Sequence, residues 1–187
     1  MTDLLRASLR ALPDFPEKLP DFDLASAPDD PEELFLEWLE QAIEQVPQPH
    51  AFSLATATDE GRPSSRMLIL KNLDQRGWHF ATSRSSRKAT ELALNPWVAG
   101  NFFWQALGRQ IRFSGPVTAL SAAASAADWL ERPWSDGRDN PEWQLYAVQP
   151  VELEFWQARH DRAHRRLIYR RDNPGSEWFR MRSGSTS

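Results

Sequence analysis

The sequence predicts a mainly β protein with flanking helices, its short antiparallel strands closing into a barrel. Three observations predict it. Six or more short strand-like runs recur between turn signals at regular spacing. No alternation of strands with helices supports a doubly wound parallel sheet, and no internal repeat is evident. The 187 residues fit one domain with an N-terminal arm, and 41% hydrophobic residues suffice to build a core.

The elements follow in order. Residues 1–12 carry Leu4, Leu5, Leu9 and Leu12 at helical spacing and stop at Pro13. Residues 13–31 hold five prolines and several aspartates, which reads as an extended linker with no core of its own. Asp30 then precedes Pro31 at a helix start, with Glu32 and Glu33 in the first turn. Leu34, Leu36, Trp38, Leu39, Ile43 and Val46 give that helix one apolar face, ending at Pro47. Strands are expected at 51–58, 63–70 and 77–82, with turns over 59–61 and 72–77. A short helix over 86–95 stops at Asn95-Pro96; strands 97–105 and 109–120 pair around Leu107-Gly108. Residues 121–131 are an alanine-rich helix capped by Ser121, and 132–142 are loop. One strand over 145–157 and shorter strands at 166–170 and 178–181 complete the set. The expected domains are an arm at 1–30, the barrel at 31–182 and a disordered tail at 183–187.

Composition narrows the function. With no cysteine there is no disulfide framework, thiolate chemistry or cysteine metal site. No apolar run approaches the ~18 residues of a membrane span, and the start lacks the features of a secretory signal, so the expected location is cytoplasmic. His160 and His164 stand four apart but lack the carboxylate of a zinc motif, and no metal is expected. The net charge of −4 hides an acidic first fifty residues and a mildly basic remainder, with cations concentrated at 62–88 and 159–171. Such a body suits nucleic acid or an anionic cofactor equally well. The 159–171 run has only Tyr169 as a stacking aromatic, however, so an alternating strand with a solvated face reads better than a nucleic-acid patch. Nine tryptophans fit packing around a planar ligand, a large core or a subunit interface.

The stretch 66–88 carries the most chemistry. The apolar run Met67-Leu68-Ile69-Leu70 lies between two cations, Arg66 and Lys71. After a second strand the chain enters Ser83-Arg84-Ser85-Ser86-Arg87-Lys88, whose serines mark a helix N-terminus. Hydroxyls, free backbone N–H groups and cations at a helix start make an anion site, most often for a phosphate. Read alone, the stretch also fits a surface hairpin with solvated cations.

Arg66 to Lys71, then Phe80-Ala81-Thr82-Ser83 and Ser86-Arg87-Lys88, resemble the flavin-binding signature of the pyridoxine/pyridoxamine 5′-phosphate oxidase family. Gly108-Arg109-Gln110-Ile111-Arg112 and the segment from Glu154-Phe155-Trp156-Gln157 to Arg162-Ala163-His164-Arg165-Arg166 resemble further motifs in the family's order. The likeness spans residues 32–171. It implies a six-stranded split barrel working as a homodimer, with FMN at the interface and a small-molecule substrate. Carried over residue by residue, it implies that Arg66, Met67, Leu68, Ile69, Leu70, Lys71, Ala81, Thr82, Arg87, Lys88, Gln110, Trp156 and Arg166 hold FMN. Arg162 and His164 are the implied catalytic residues, and Lys71, Arg132, Arg162 and His164 the implied substrate contacts. The chain also departs from the pattern. Where the family grips a substrate phosphate with a tyrosine and a serine, Asp128 and Asp136 stand here, and the segment with a Gln-Ser pair that should touch FMN is missing. The implied activity is therefore oxidation of a small planar substrate by flavin with reoxidation by dioxygen. Oxidation of pyridoxine phosphate itself and ligand binding without catalysis are the alternatives.

Overall fold

The computed structural model describes residues 2–133 and 135–182. Four helices, α1 (Thr2–Arg10), α2 (Pro31–Gln45), α3 (Arg87–Leu94) and α4 (Ala122–Leu130), surround ten strands. The strands are β1 (Ala51–Ala57), β2 (Pro63–Ile69), β3 (Asn72–Asp74), β4 (Gly77–Ser83), β5 (Trp97–Trp104), β6 (Arg109–Ala119), β7 (Trp143–Val148), β8 (Glu152–Gln157), β9 (Arg165–Arg170) and β10 (Phe179–Arg182). Local chemistry sets the helix starts: the side chains of Asp30, Ser86 and Ser121 accept from the first-turn N–H groups of Glu32, Ala89 and Ala124. The expected tail, 183–187, lies outside the described residues.

All strand pairs are antiparallel. β1 pairs with β2 and β5, β5 with β6, β6 with β7, β7 with β4, and β4 with β3. Because β3 continues β2, and Lys71 N donates to His79 O at 2.8 Å, this path returns on itself and closes a barrel. β8, β9 and β10 extend the sheet outward from β6.

Two expectations are corrected here. The anticipated turn over 72–77 contains the short strand β3, so ten strands are described in all, with β8, β9 and β10 lying outside the closed circuit of β1, β2–β3, β4, β7, β6 and β5. The single strand anticipated over 145–157 is two, β7 and β8, interrupted at Gln149 to Val151. Both run along β6, but the register steps by one residue, from Val117↔Val148 to Ser114↔Glu152. That is a bulge, and it bends the chain where the partner of β6 changes from β7 to β8. Gly115 permits the bend, since a Cβ there would lie 2.4 Å from the carbonyl oxygen of Gln149. Gly77 plays a matching part at the start of β4, where φ is +120° and a Cβ would meet Val148 O at 2.0 Å.

Aromatic side chains fill the barrel. Phe102 lies 5.1 Å from Phe52 and 5.3 Å from Phe35, with Trp78, Trp104 and Phe113 around them, all buried. Burial of each such ring contributes about 2–3 kcal/mol. Helix α2 closes one end through Phe35 and Trp38, and Trp38 carries the Arg109 guanidinium 4.1 Å above its ring. Arg109 is buried without a carboxylate, its charge met instead by the side-chain oxygens of Gln157 and Gln41 at 3.0 Å each. The proline-rich segment, expected to have no core of its own, is docked: Phe22 is buried against Trp38 at 4.9 Å, and the Tyr169 hydroxyl donates to Pro28 O at 2.6 Å. The leucines of α1 stay exposed. Among the described residues, no helix is long and apolar enough to cross a membrane.

Candidate functional site

The anion site anticipated around 66–88 takes shape where β2, β4 and α3 meet. Alternation along β2 turns Ser64, Arg66, Leu68 and Leu70 inward and leaves Met67 and Ile69 exposed. Arg66 donates to Thr56 Oγ1 and Ser64 Oγ, each at 2.6 Å, and lies 3.5 Å from the Glu91 carboxylate. Lys88 Nζ donates to Thr82 Oγ1 at 2.8 Å, and Ser86 Oγ is 3.2 Å from the same hydroxyl. Burial, and then the nearby Arg66 charge, push the Lys88 pKa below its usual range. Arg87 reaches Glu91 at 2.8 Å, one helical turn on, with most of its side chain in solvent. The N–H groups of the first α3 turn, beyond the one capped by Ser86, point out of the helix beside these cations.

Glu91 was not anticipated, although its i,i+4 spacing from Arg87 is visible in the sequence. Only 4% exposed, it accepts from Thr56, Ser64 and Arg87 and organises the cradle from below. The Thr56 hydroxyl, more than offsetting burial, and then Ser64 and Arg87 hold its carboxyl at about 2, against an ordinary 4.5. A carboxyl depressed on folding stabilises the fold above its unfolded value, and that contribution is lost as pH falls through the folded one. Glu91→Gln is therefore expected to flatten the stability–pH curve between about pH 4.5 and pH 2. Urea-unfolding midpoints across that window check it; parallel curves for the two proteins would count against this role.

A second group lies on the extension. In the β6–β8–β9 register Gln110 is opposite Trp156, and Trp156 opposite Arg166. The His164 ring sits 4.8 Å from Trp156, and Phe15 of the N-terminal arm lies 6.0 Å from the same indole. His164 Nδ1 accepts from the Arg159 backbone N–H at 3.0 Å, which places the proton of the neutral ring on Nε2. His160 turns instead to Glu17 O, so the two histidines do not converge. Arg162 has a left-handed backbone, φ +63°, unusual for a side chain with a Cβ, and Asp161 holds the turn by accepting from Ala163 N at 3.0 Å. Its guanidinium is exposed, 3.9 Å from Asp14. Arg166 pairs with Glu154 at 3.0 Å.

Along the sheet, β2 and β8 are separated by β1, β5 and β6.

The third cluster holds the departures. Lys71 Nζ is 3.3 Å from Asp128 Oδ1, with 17% and 13% of the two side chains exposed. The other Asp128 oxygen accepts from the Trp143 indole N–H at 2.7 Å. Arg132 lies over Trp129 at 4.2 Å and Trp143 at 4.8 Å. Asp136 is on the rim, mostly exposed, beside Arg138. Trp143 links Asp128 to the stacked pair of Arg132 and Trp129. Ala81 is half-buried in β4, one residue before Thr82.

Comparison with known proteins fits this arrangement. The family model described as pyridoxamine 5′-phosphate oxidase matches residues 39–157. The chain belongs to this family. A second model, described as the pyridoxine 5′-phosphate oxidase C-terminal dimerisation region, matches residues 143–182, so the oxidase-family dimerisation segment is β7 to β10. A pyridoxine/pyridoxamine 5′-phosphate oxidase of Salinibacter ruber is 38% identical over 80% of this chain and 86% of its own. One from Gluconobacter oxydans is 38% identical over 83% and 95%. Among solved structures, PhzG from Burkholderia lata, in complex with tetrahydrophenazine-1-carboxylic acid, superposes with a TM-score of 0.79 at 31% identity, over 88% of this chain and 98% of that one. An FMN-binding oxidase-related protein from Nostoc punctiforme shares the fold at a TM-score of 0.71 and 20% identity, over 83% and 97%.

The cradle passes a charge test for the family's cofactor. Arg66 and Arg87 share one carboxylate, Glu91, and Lys88 has only the Thr82 hydroxyl, which leaves two positive charges uncompensated beside hydroxyl and backbone donors. That matches a phosphate monoester, which carries between one and two negative charges near neutral pH.

Proposed function

We propose that this chain is an FMN-dependent oxidoreductase acting on a small planar substrate, with the site completed between two copies. The phosphate cradle at the start of α3, with its two uncompensated positive charges, carries the reading. Bound there, FMN would supply a two-electron acceptor for the hydride of a reduced substrate, with dioxygen as the reoxidant and hydrogen peroxide as its product. The protein's own residues then have separate tasks. Arg66, Arg87, Lys88 and Thr82 hold the phosphate, and Gln110 offers both a donor and an acceptor to the flavin edge. Met67 to Lys71, Ala81, Trp156 and Arg166 line the rest of the cofactor. Arg162 and His164 position the substrate, His164 through the Nε2 left free by its Nδ1 contact.

The separation of the two residue groups along the sheet and the match to a dimerisation region both support a second copy bringing the extension of one chain to the cradle of the other. Oxidation of pyridoxine 5′-phosphate itself is the second reading, favoured by the names of relatives 38% identical to this chain.

The absorbance spectrum of the purified protein tests the cofactor. Flavin bands near one FMN per chain are expected, and a colourless protein that also refuses added FMN would overturn the reading. Anaerobic bleaching of those bands by pyridoxine 5′-phosphate would favour the second reading.

A further inference from the structure

Lysine is scarce in this chain, which has only Lys18, Lys71 and Lys88. Their surroundings set three different reactivities. Lys18 is exposed on the N-terminal arm. Lys71 is held by the Asp128 carboxylate at 3.3 Å, which keeps its nitrogen protonated and unable to attack a carbon. Lys88 has no carboxylate partner among the described residues. Its Nζ donates to the Thr82 hydroxyl at 2.8 Å, and Thr82 is itself buried. Glu91, the carboxylate of the cradle, is engaged by Arg66 and Arg87. Burial and the neighbouring Arg66 charge both disfavour the ammonium form of Lys88 and lower its pKa.

A lysine that sheds its proton easily is a nucleophile, and desolvation beside a second cation is one way to make it so. The reaction such an amine gives is imine formation with an aldehyde. The lone pair of the neutral Nζ adds to the carbonyl carbon, and the carbonyl oxygen departs as water with the two amine protons. No oxidant or reductant is needed. The same surroundings select the aldehyde. Arg66, beside Lys88, shares its one carboxylate with Arg87, so a negative charge next to the carbonyl group is attracted. A phosphate in the cradle has the opposite effect, because it pairs with the ammonium and quenches the amine, as Asp128 quenches Lys71.

We infer that Lys88 is a modification site, an amine that condenses with small anionic aldehydes when no phosphate occupies the cradle. Aldehyde and FMN compete for one set of cations, so the imine blocks cofactor loading and the cofactor protects the lysine. The inference goes beyond the oxidoreductase reading, since it needs the charges of the cradle and not the flavin chemistry.

The test treats the full chain, stripped of flavin and in phosphate-free buffer, with glyoxylate or acetaldehyde. Cyanoborohydride is present to reduce the imine to a stable amine. The two probes differ by a carboxylate in place of a methyl group. Peptide mass spectrometry reads the labelling of each lysine, and Lys18 on the same chain is the reference for the intrinsic reactivity of each aldehyde. With glyoxylate near neutral pH, Lys88 is expected to be labelled at least about tenfold faster than Lys18. With acetaldehyde that ratio should fall by about threefold or more. Inorganic phosphate or FMN should slow Lys88 and leave Lys18 unchanged. As pH is lowered from the alkaline side, Lys18 labelling should fade before that of Lys88, because the group with the lower pKa keeps its free amine longer. Lys88 labelled no faster than Lys18 by glyoxylate, or an unchanged ratio with acetaldehyde, overturns the inference. So does phosphate that fails to protect, or FMN that binds without slowing Lys88. A chain that refuses FMN yet shows selective, phosphate-protected labelling of Lys88 supports the inference while sinking the flavin reading.

Discussion

Replacing Arg66 and Lys88 together by alanine is expected to give a folded but colourless protein. Both side chains are anchored inside the cradle, Arg66 on Thr56 and Ser64 and Lys88 on Thr82, so little entropy is left to lose when a phosphate arrives. Each would make a charge-assisted bond of about 1.5–3 kcal/mol to it. Together they amount to roughly a hundredfold to ten-thousandfold in FMN affinity, enough to strip the cofactor during purification. The fold should survive, because Glu91 keeps Thr56, Ser64 and Arg87 as partners. Titration of FMN fluorescence measures the affinity, and near-ultraviolet circular dichroism checks the aromatic core. A double variant that binds FMN within about tenfold of wild type would remove the cradle from the mechanism.

Arg162→Ala combined with His164→Ala should do the reverse, leaving the flavin bound and the enzyme inert. Neither residue belongs to the cradle, and both lie in the loop between β8 and β9, where a left-handed Arg162 and the Arg159 N–H to His164 Nδ1 contact set their placement. Loss of substrate positioning and of a proton carrier is worth about a thousandfold in kcat, in the range seen for general acid–base groups. The appropriate comparison is kcat against flavin content on the same preparation. Turnover within about tenfold of wild type would deny these residues any part in the reaction. Loss of flavin alongside turnover would instead assign them to the cofactor.

Much of this chain is legible without its fold, and the reason is that the relevant physics is local. The helix starts at Asp30-Pro31, Ser86 and Ser121 depend on one side chain reaching an N–H two or three residues away. The cluster of Arg87 and Lys88 on the first turn of α3 likewise follows from sequence spacing alone, as does the inward alternation of Arg66 and Leu68 in β2. The fold decided what depends on residues distant along the chain. The break between β7 and β8 is set by Gly115 on another strand, where β6 passes from one sheet to the other. Glu91 is recognisable as the floor of the cradle only once β1 and β2 bring Thr56 and Ser64 against α3. Asp128 reads in the sequence as a carboxylate set against a phosphate. In the folded chain it is the counterion of Lys71, since Coulomb energy depends on the distance and burial of a pair and not on its separation along the chain.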